Sequence, residues 1–319
     1  MHRVRSFPTG TGTASRALAA AYGGALAPLA ALDTPRDLDV MHYPVTVPIP
    51  RTRAARVVSL LDVQHHELPA MFSRTELAWR RWAYDRSSRQ ADVVVTISEH
   101  ARRSIVERLG VDPKRILAIP LGVDHARFRP EPADVDATLK LPERYLLYPA
   151  NMWPHKNHDR LLRAFATVTD PDLGLVLTGQ SYGRSLPGPR DRRVRHLGHV
   201  SPDAMPALYR RAVGMIFPSL FEGFGLPVLE AMACGCPVAA CGEGAVAEVA
   251  DDAAVLFNGR NETAIAGAIE RMVTDAPLRD RLRRRGLERA AGYTWTRTAE
   301  RHVGAYEVAL TRRSARMAR

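Results

Sequence analysis

The chain is poor in cysteine, in acidic residues and in unbroken apolar runs. It holds only three cysteines, Cys234, Cys236 and Cys241, close together in one stretch. So few thiols so near one another cannot build the disulfide framework of a small secreted domain. No histidine neighbours them, and they fall where a helix turns into a strand, so they read as free structural thiols. No apolar run approaches the roughly 18 residues that cross a bilayer. The alanine-rich stretch 17–31 is short and broken by glycines, and does not read as a signal peptide. The expected compartment is therefore the cytoplasm. Aromatic residues are only 7% of the chain, and neither zinc-finger spacing nor an RNP-like aromatic motif is present. Nucleic acid is not an expected partner.

Acidic residues number 34 against 45 lysines and arginines, a formal charge of +11. The excess gathers at 279–289 and 311–319. It reads first as an arginine-rich solvated helix face, and it leaves open an anionic substrate or a peripheral contact with the inner face of an anionic membrane. What is present is otherwise ordinary: 46% hydrophobic and 25% charged residues in 319, enough for two soluble domains.

The organising stretch is 218–238, PSLFEGFGLPVLEAMACGCPV. Met215-Ile216-Phe217 ends a buried strand, and Gly223 and Gly225 permit a tight loop. Pro227 suits the opening of a helix, which stops before Gly235-Cys236-Pro237. A helix N-terminus with free amides at Gly225 and Leu226 is a ready anion site. Glu222 lies just before it and Glu230 about one turn inside it. Carboxylates repel phosphate, so these two suit hydroxyls on either side of a diphosphate. Spacing alone fits an ordinary strand–helix unit with two solvated glutamates as well.

Beyond spacing, the E-G-F-G core, the following proline and the E-A-M-A-x-G-x-P-V tail resemble the E-x7-E motif of retaining GT-B glycosyltransferases of family 4 (glycosyl transferases group 1). The resemblance implies an α/β chain of two Rossmann-like doubly wound domains facing a central cleft. It covers about 38–310 and is stronger in the second half. It implies that Glu222 contacts donor-sugar hydroxyls, that Glu230 holds the ribose, and that the backbone from Gly223 through Phe224 and Gly225 to Leu226 binds diphosphate.

Other segments carry the same resemblance. Lys156, in PANMWPHKNH at 149–158, sits in a strand-to-helix loop where an ammonium neutralises phosphate. The family pairs such a lysine with an arginine about five residues earlier, and here Asn151 holds that place. Leu197-Gly198 matches a segment whose backbone meets the nucleobase. The stretch 61–73, LDVQHHELPAMFS, is similar to the H-D-L-Q-H…P…F-F-S stretch of mannosyltransferase-like members, whose leading histidine lines the acceptor side. Leu61 replaces that histidine, so Asp62 and His65 are the residues carried over as lining the cleft. The loop Thr9-Gly10-Thr11-Gly12-Thr13 offers Gly10 and Gly12 as further donor contacts, although little apolar sequence precedes it and the N-terminal domain looks trimmed. Asp37-Leu38-Asp39 precedes its strand instead of ending it, so it reads as a turn and not as a metal-binding Asp-x-Asp. His155 and His158 have no carboxylate–histidine partners at a known spacing, and no metal ligands are assigned.

The expected organisation is an acceptor-side domain over 1–135, a nucleotide-sugar domain over 136–295, and a helix with a basic tail over 296–319 returning toward the first. The proline-rich stretch 130–142 is the linker. The expected activity is metal-independent transfer, with retention, of a hexose-type sugar from a nucleotide-diphosphate donor. The acceptor is a hydroxyl on a glycan, a lipid-linked or a small molecule, and no cofactor is called for. Glu222, Lys156, Asp62 and His65 are the expected catalytic set. A GT-B sugar epimerase, and a non-catalytic nucleotide-sugar-binding or partner protein on the same scaffold, are the alternatives. The second is suggested by Leu61, Asn151 and the trimmed start.

Overall fold

The computed structural model describes residues 38–44, 46, 52–131 and 139–318. Gly10 and Gly12, with the whole N-terminal glycine-threonine loop, lie outside the described residues. The chain divides into two compact units: 1–96, 104–117 and 302–319 form the first, and 97–103 with 118–301 form the second.

In the first unit the strands are β1 (Val40–Tyr43), β2 (Ala55–Ser59), β3 (Val93–Thr96) and β4 (Ile116–Ala118). They stand in the order β1-β2-β3-β4, with β1, β2 and β3 parallel. Between β2 and β3 run α1 (Gln64–Glu67), α2 (Arg74–Arg80) and α3 (Arg86–Gln90). A π-turn over Arg81–Asp85 joins α2 to α3, so Arg74–Gln90 is one helix with an inserted residue. Ser73 caps it by accepting from the Glu76 amide at 3.2 Å. The core is Tyr43, Val58, Leu60, Val94, Ile105 and Ile116. α4 (Glu99–Leu109) follows β3. The chain ends in α11 (Trp295–Met317).

The second unit carries β5 (Arg144–Pro149), β6 (Leu173–Thr178), β7 (Val194–His196), β8 (Gly214–Phe217), β9 (Val238–Cys241) and β10 (Ala254–Phe257). Its helices are α5 (His158–Ala166), α6 (Met205–Arg211), α7 (Leu226–Ala233), α8 (Gly244–Ala250), α9 (Glu262–Thr274) and α10 (Ala276–Ala291). The sheet order is β10-β9-β8-β5-β6-β7, and every pair is parallel. Strands covered on both faces need continuous apolar runs. Tyr145–Tyr148, Leu175–Leu177 and Met215–Phe217 accordingly have no exposed surface. The order reverses between β5 and β8, because β6 and β7 stack to one side and β9 and β10 to the other. Ligands of such sheets lie beyond the carboxyl ends of the strands at that reversal. The chain is thus α/β, with parallel sheets of four and six strands.

Cys234, Cys236 and Cys241 are free and buried. Burial pushes the Cys234 thiol up to about 12, so it is held as a neutral packing group.

Candidate functional site

The loops leaving β5 and β8 meet at the reversal of strand order. After β5 the chain makes a single turn over Pro154–Lys156 and enters α5 through Asn157, whose φ is 63°. Asparagine tolerates this left-handed backbone better than most residues. The side chain then ties three loops together. Its Nδ2 donates to the carbonyls of Pro218 (3.1 Å) and Gly259 (2.7 Å), and its Oδ1 accepts from Arg160 at 2.9 Å. Leu220 N donates to the His155 carbonyl at 2.8 Å, and the Tyr148 hydroxyl to the Lys156 carbonyl at 2.5 Å.

This bracing brings the Lys156 ammonium to 2.5 Å from Glu222 Oε1, with both side chains mostly sheltered at 17% and 14% exposure. The sequence assigned the two to the same site from segments 66 residues apart, and the structure joins them directly. Next to them the glycine loop is pinned by Ser98. Its hydroxyl accepts from Ala101 N at 3.0 Å, capping α4, and donates to the Gly223 carbonyl at 2.9 Å. Gly225 occupies the N-cap of α7 with φ 107°, and among the described residues no side chain caps the helix. A Cβ there would approach Val246 Cγ2 to 3.3 Å, so the position needs glycine for both backbone and space. Leu226 is only partly buried, whereas Phe224 is buried and packs edge-on against Tyr293. Phe224 therefore contributes its backbone, not its ring.

Glu230, one turn into α7, accepts from the Tyr209 hydroxyl at 3.1 Å. Burial raises its carboxyl to about 7, with the Tyr209 hydrogen bond and the Arg127 charge offsetting part of that rise. It therefore takes up a proton more readily than an ordinary carboxylate. Burial also lowers His158 to about 4, against a weaker opposing hydrogen bond to Ala150, and its Nε2 is buried without a partner among the described residues.

The remaining expected residues fall in several places. Asn151 accepts from the Gln180 amide at 2.7 Å, which ties the β5 and β6 loops. Leu197 N donates to Leu177 O at 2.9 Å, and Gly198 O accepts from Gly179 N at 2.7 Å. Glu248, which was not among the expected residues, accepts from the amides of Glu99 (2.9 Å) and His100 (2.8 Å) and thereby caps α4. In the first unit, Asp62 accepts from Gln64 N at 2.9 Å in the turn that leads into α1. His65 differs from its expected place lining a cleft. Its ring has no exposed surface, and Nε2 is held 3.0 Å from Asp85 Oδ1, so it cannot touch a substrate. The histidine pair was expected in a loop; the turn after β2 instead winds into α1 and carries His65 inward.

Asn157, Ser98 and Tyr209 were not read as site residues. Asn157 directly follows Lys156, and an asparagine between a turn and a helix was the available signal. Tyr209 and Ser98 come from distant segments, and spacing could not join them to Glu230 and Gly223.

Two family models match the chain: "Glycosyltransferase Family 4" over residues 2–127 and "Glycosyl transferases group 1" over 132–289. O-antigen chain mannosyltransferase B of Escherichia coli is 26% identical over 284 residues, covering 85% of this chain and 74% of that protein. A D-inositol 3-phosphate glycosyltransferase of Stackebrandtia nassauensis is 33% identical over 249 residues, covering 70% of this chain and 56% of that protein. The chain therefore spans little more than half the length of that second relative. Among solved structures, sucrose-phosphate synthase of Thermosynechococcus elongatus superposes with a TM-score of 0.69 at 24% identity, covering 84% of this chain and 73% of the other. That likeness shows the fold.

Proposed function

This chain belongs to the GT-B glycosyltransferases of family 4, glycosyl transferases group 1, and on that footing we propose that it moves a hexose-type sugar from a nucleotide-diphosphate donor to a hydroxyl acceptor, with retention at the anomeric carbon. The observation that carries the reading is the contact of Lys156 with Glu222 at the reversal of strand order, beside the uncapped start of α7.

The roles follow from charge. The α7 amides and the Lys156 ammonium take the negative charge that grows on the departing diphosphate. Fixed donors of this kind are each worth about 3–4 kcal/mol in a transition state. Glu222 accepts from hydroxyls of the donor sugar and turns it toward the acceptor, and Glu230 accepts from the ribose. With no nucleophile assigned, the leaving phosphate oxygen takes the acceptor's proton as the new bond forms. The donor is held by this chain's own groups, and the chemistry calls on no metal. Asp62 remains an acceptor-side candidate. His65 does not, because its ring is sealed.

A second reading, a nucleotide-sugar-binding protein without transferase activity, rests on Asn151, which stands where the family places a cation and is engaged with Gln180. A panel of nucleotide sugars assayed for nucleotide release separates the two. Turnover that drops about 100-fold or more in Glu222→Ala and Lys156→Ala, with folding intact by circular dichroism, supports the enzyme. Donor binding without turnover under any acceptor supports the second reading, and turnover unchanged in both variants overturns the site.

A further inference from the structure

The first unit holds a group of side chains that the donor chemistry leaves unused. His65 Nε2 lies 3.0 Å from Asp85 Oδ1, and His66 Nε2 lies 3.0 Å from Asp85 Oδ2. The ligand atoms of all three residues fall within 4.8 Å of one another. We propose that His65, His66 and Asp85 form a binding site for one divalent transition-metal ion, with zinc the best fit, that clamps α1 to the helix Arg74–Gln90.

The donor set is right for such an ion. Two neutral imidazoles and one carboxylate suit zinc, while calcium and magnesium prefer oxygen alone. The spacing is right as well. Bonds of about 2.0–2.2 Å at tetrahedral angles place neighbouring donors about 3.3–3.5 Å apart. The two nitrogen–oxygen separations of 3.0 Å are within about 0.5 Å of that edge. The rings lie 4.4 Å apart between centroids, and both Nε2 atoms face the same carboxylate.

Two further features point to a built arrangement. The first is the π-turn over Arg81–Asp85, which interrupts an otherwise regular helix and ends on Asp85. Such insertions rotate the helix register and gather at functional sites. The second is the orientation of His65. Its ring has no exposed surface, and its Nε2 faces the Asp85 carboxylate. Tyr84 packs edge-on to His65. His66 keeps 19% of its side chain exposed, which leaves a path for the ion and a place for water as the fourth ligand. The cluster was invisible in sequence spacing because its third member lies on a separate helix, 20 residues after His65.

The full chain, stripped with a chelator, is titrated with Co²⁺ and with Zn²⁺. One equivalent of Co²⁺ with the visible bands of a tetrahedral nitrogen–oxygen site is the expected result. Zinc at about a hundredfold over its Kd is expected to raise the melting temperature by about 5 °C or more. His66→Gln and Asp85→Asn are each expected to weaken Co²⁺ binding by more than the roughly 10–100-fold lost with an outer-shell partner. His66 is the more exposed member, so its variant serves if Asp85→Asn fails to fold. The proposal is overturned if the stripped wild-type chain shows no saturable Co²⁺ band, or if zinc shifts wild type and His66→Gln equally. Neither readout uses glycosyl transfer, so its failure leaves the donor reading standing.

Discussion

If Glu230 holds the ribose as proposed, nucleotide binding is a proton-releasing event. Its carboxyl sits at about 7 in the free chain instead of the ordinary 4.5, raised by burial. Ribose hydroxyls donate to the ionised form, so a bound nucleotide draws the value back down. A full return to 4.5 is a shift of about 2.5 units, or about 3 kcal/mol between the two protonation states. Linkage then gives the pH profile. Affinity is flat above pH 7, and falls by roughly two orders of magnitude by pH 5 as the free carboxyl takes up its proton. At pH 6 close to one proton leaves per nucleotide bound. Calorimetry in buffers of different ionisation enthalpy reads this number, and Glu230→Gln corrects for titration of the diphosphate itself. The free chain has the opposite sign. A raised carboxyl contributes stability that is complete below pH 4.5 and lost as pH rises through 7, so wild type should lose melting temperature relative to Glu230→Gln over that window. Equal proton release and equal pH slopes in wild type and Glu230→Gln would refute the assignment of the ribose to this residue.

Asn157→Ala strips the donors from two buried carbonyls and puts alanine at φ 63°, so chemical denaturation should show a loss of about 2–4 kcal/mol. Gly225→Ala meets both a left-handed backbone at φ 107° and Val246, and should cost about 1–2 kcal/mol in urea while weakening nucleotide binding in the same preparation. His158 is depressed to about 4, so the unfolded chain binds the extra proton between pH 6.5 and 4; stability should fall across that window by up to about 3 kcal/mol, and His158→Gln should flatten the curve. A nucleotide sugar should bind more tightly than its bare nucleoside diphosphate, and calorimetry should find the gap reduced in Glu222→Gln.

Much of the second unit was legible because its strands are unbroken apolar runs closed by glycine, proline and capping residues. Leu173–Thr178 and Ala254–Phe257 are strands of this kind, and Glu262–Thr274 starts from Asn261, whose side chain accepts from the Ala264 amide. The grouping of Lys156 with Glu222 was legible because both lie in short segments with a dense motif. The first unit was less so. Its signals are single residues, and the placement of His65 depends on whether the turn after β2 stays open or winds into a helix. The π-turn in Arg74–Gln90 was hidden for a related reason. Helical periodicity reports a helix but not one extra residue within it, and that residue turns Asp85 toward His65. Long-range capping was also out of reach: that Glu248 would close the start of α4 depends on two segments about 150 positions apart.

The Lys156–Glu222 contact explains why a sugar-bearing donor should be favoured over a nucleotide alone. In the free chain the ammonium is already paired, in a place with little solvent. A diphosphate that draws Lys156 away leaves Glu222 a sheltered charge without a partner, and removing one partner of a buried pair is costly. A bare nucleoside diphosphate brings nothing to offset that. The sugar does, because its hydroxyls donate to the freed carboxylate while the phosphates accept from the ammonium. One ion pair is exchanged for another plus charge-assisted hydrogen bonds, which are about twice as strong as neutral ones. The exchange needs both halves of the donor at once. Asn151 sharpens the effect: with asparagine where the family carries an arginine, Lys156 has no second cation in that position to share the diphosphate, so its release from Glu222 decides how tightly the donor is held.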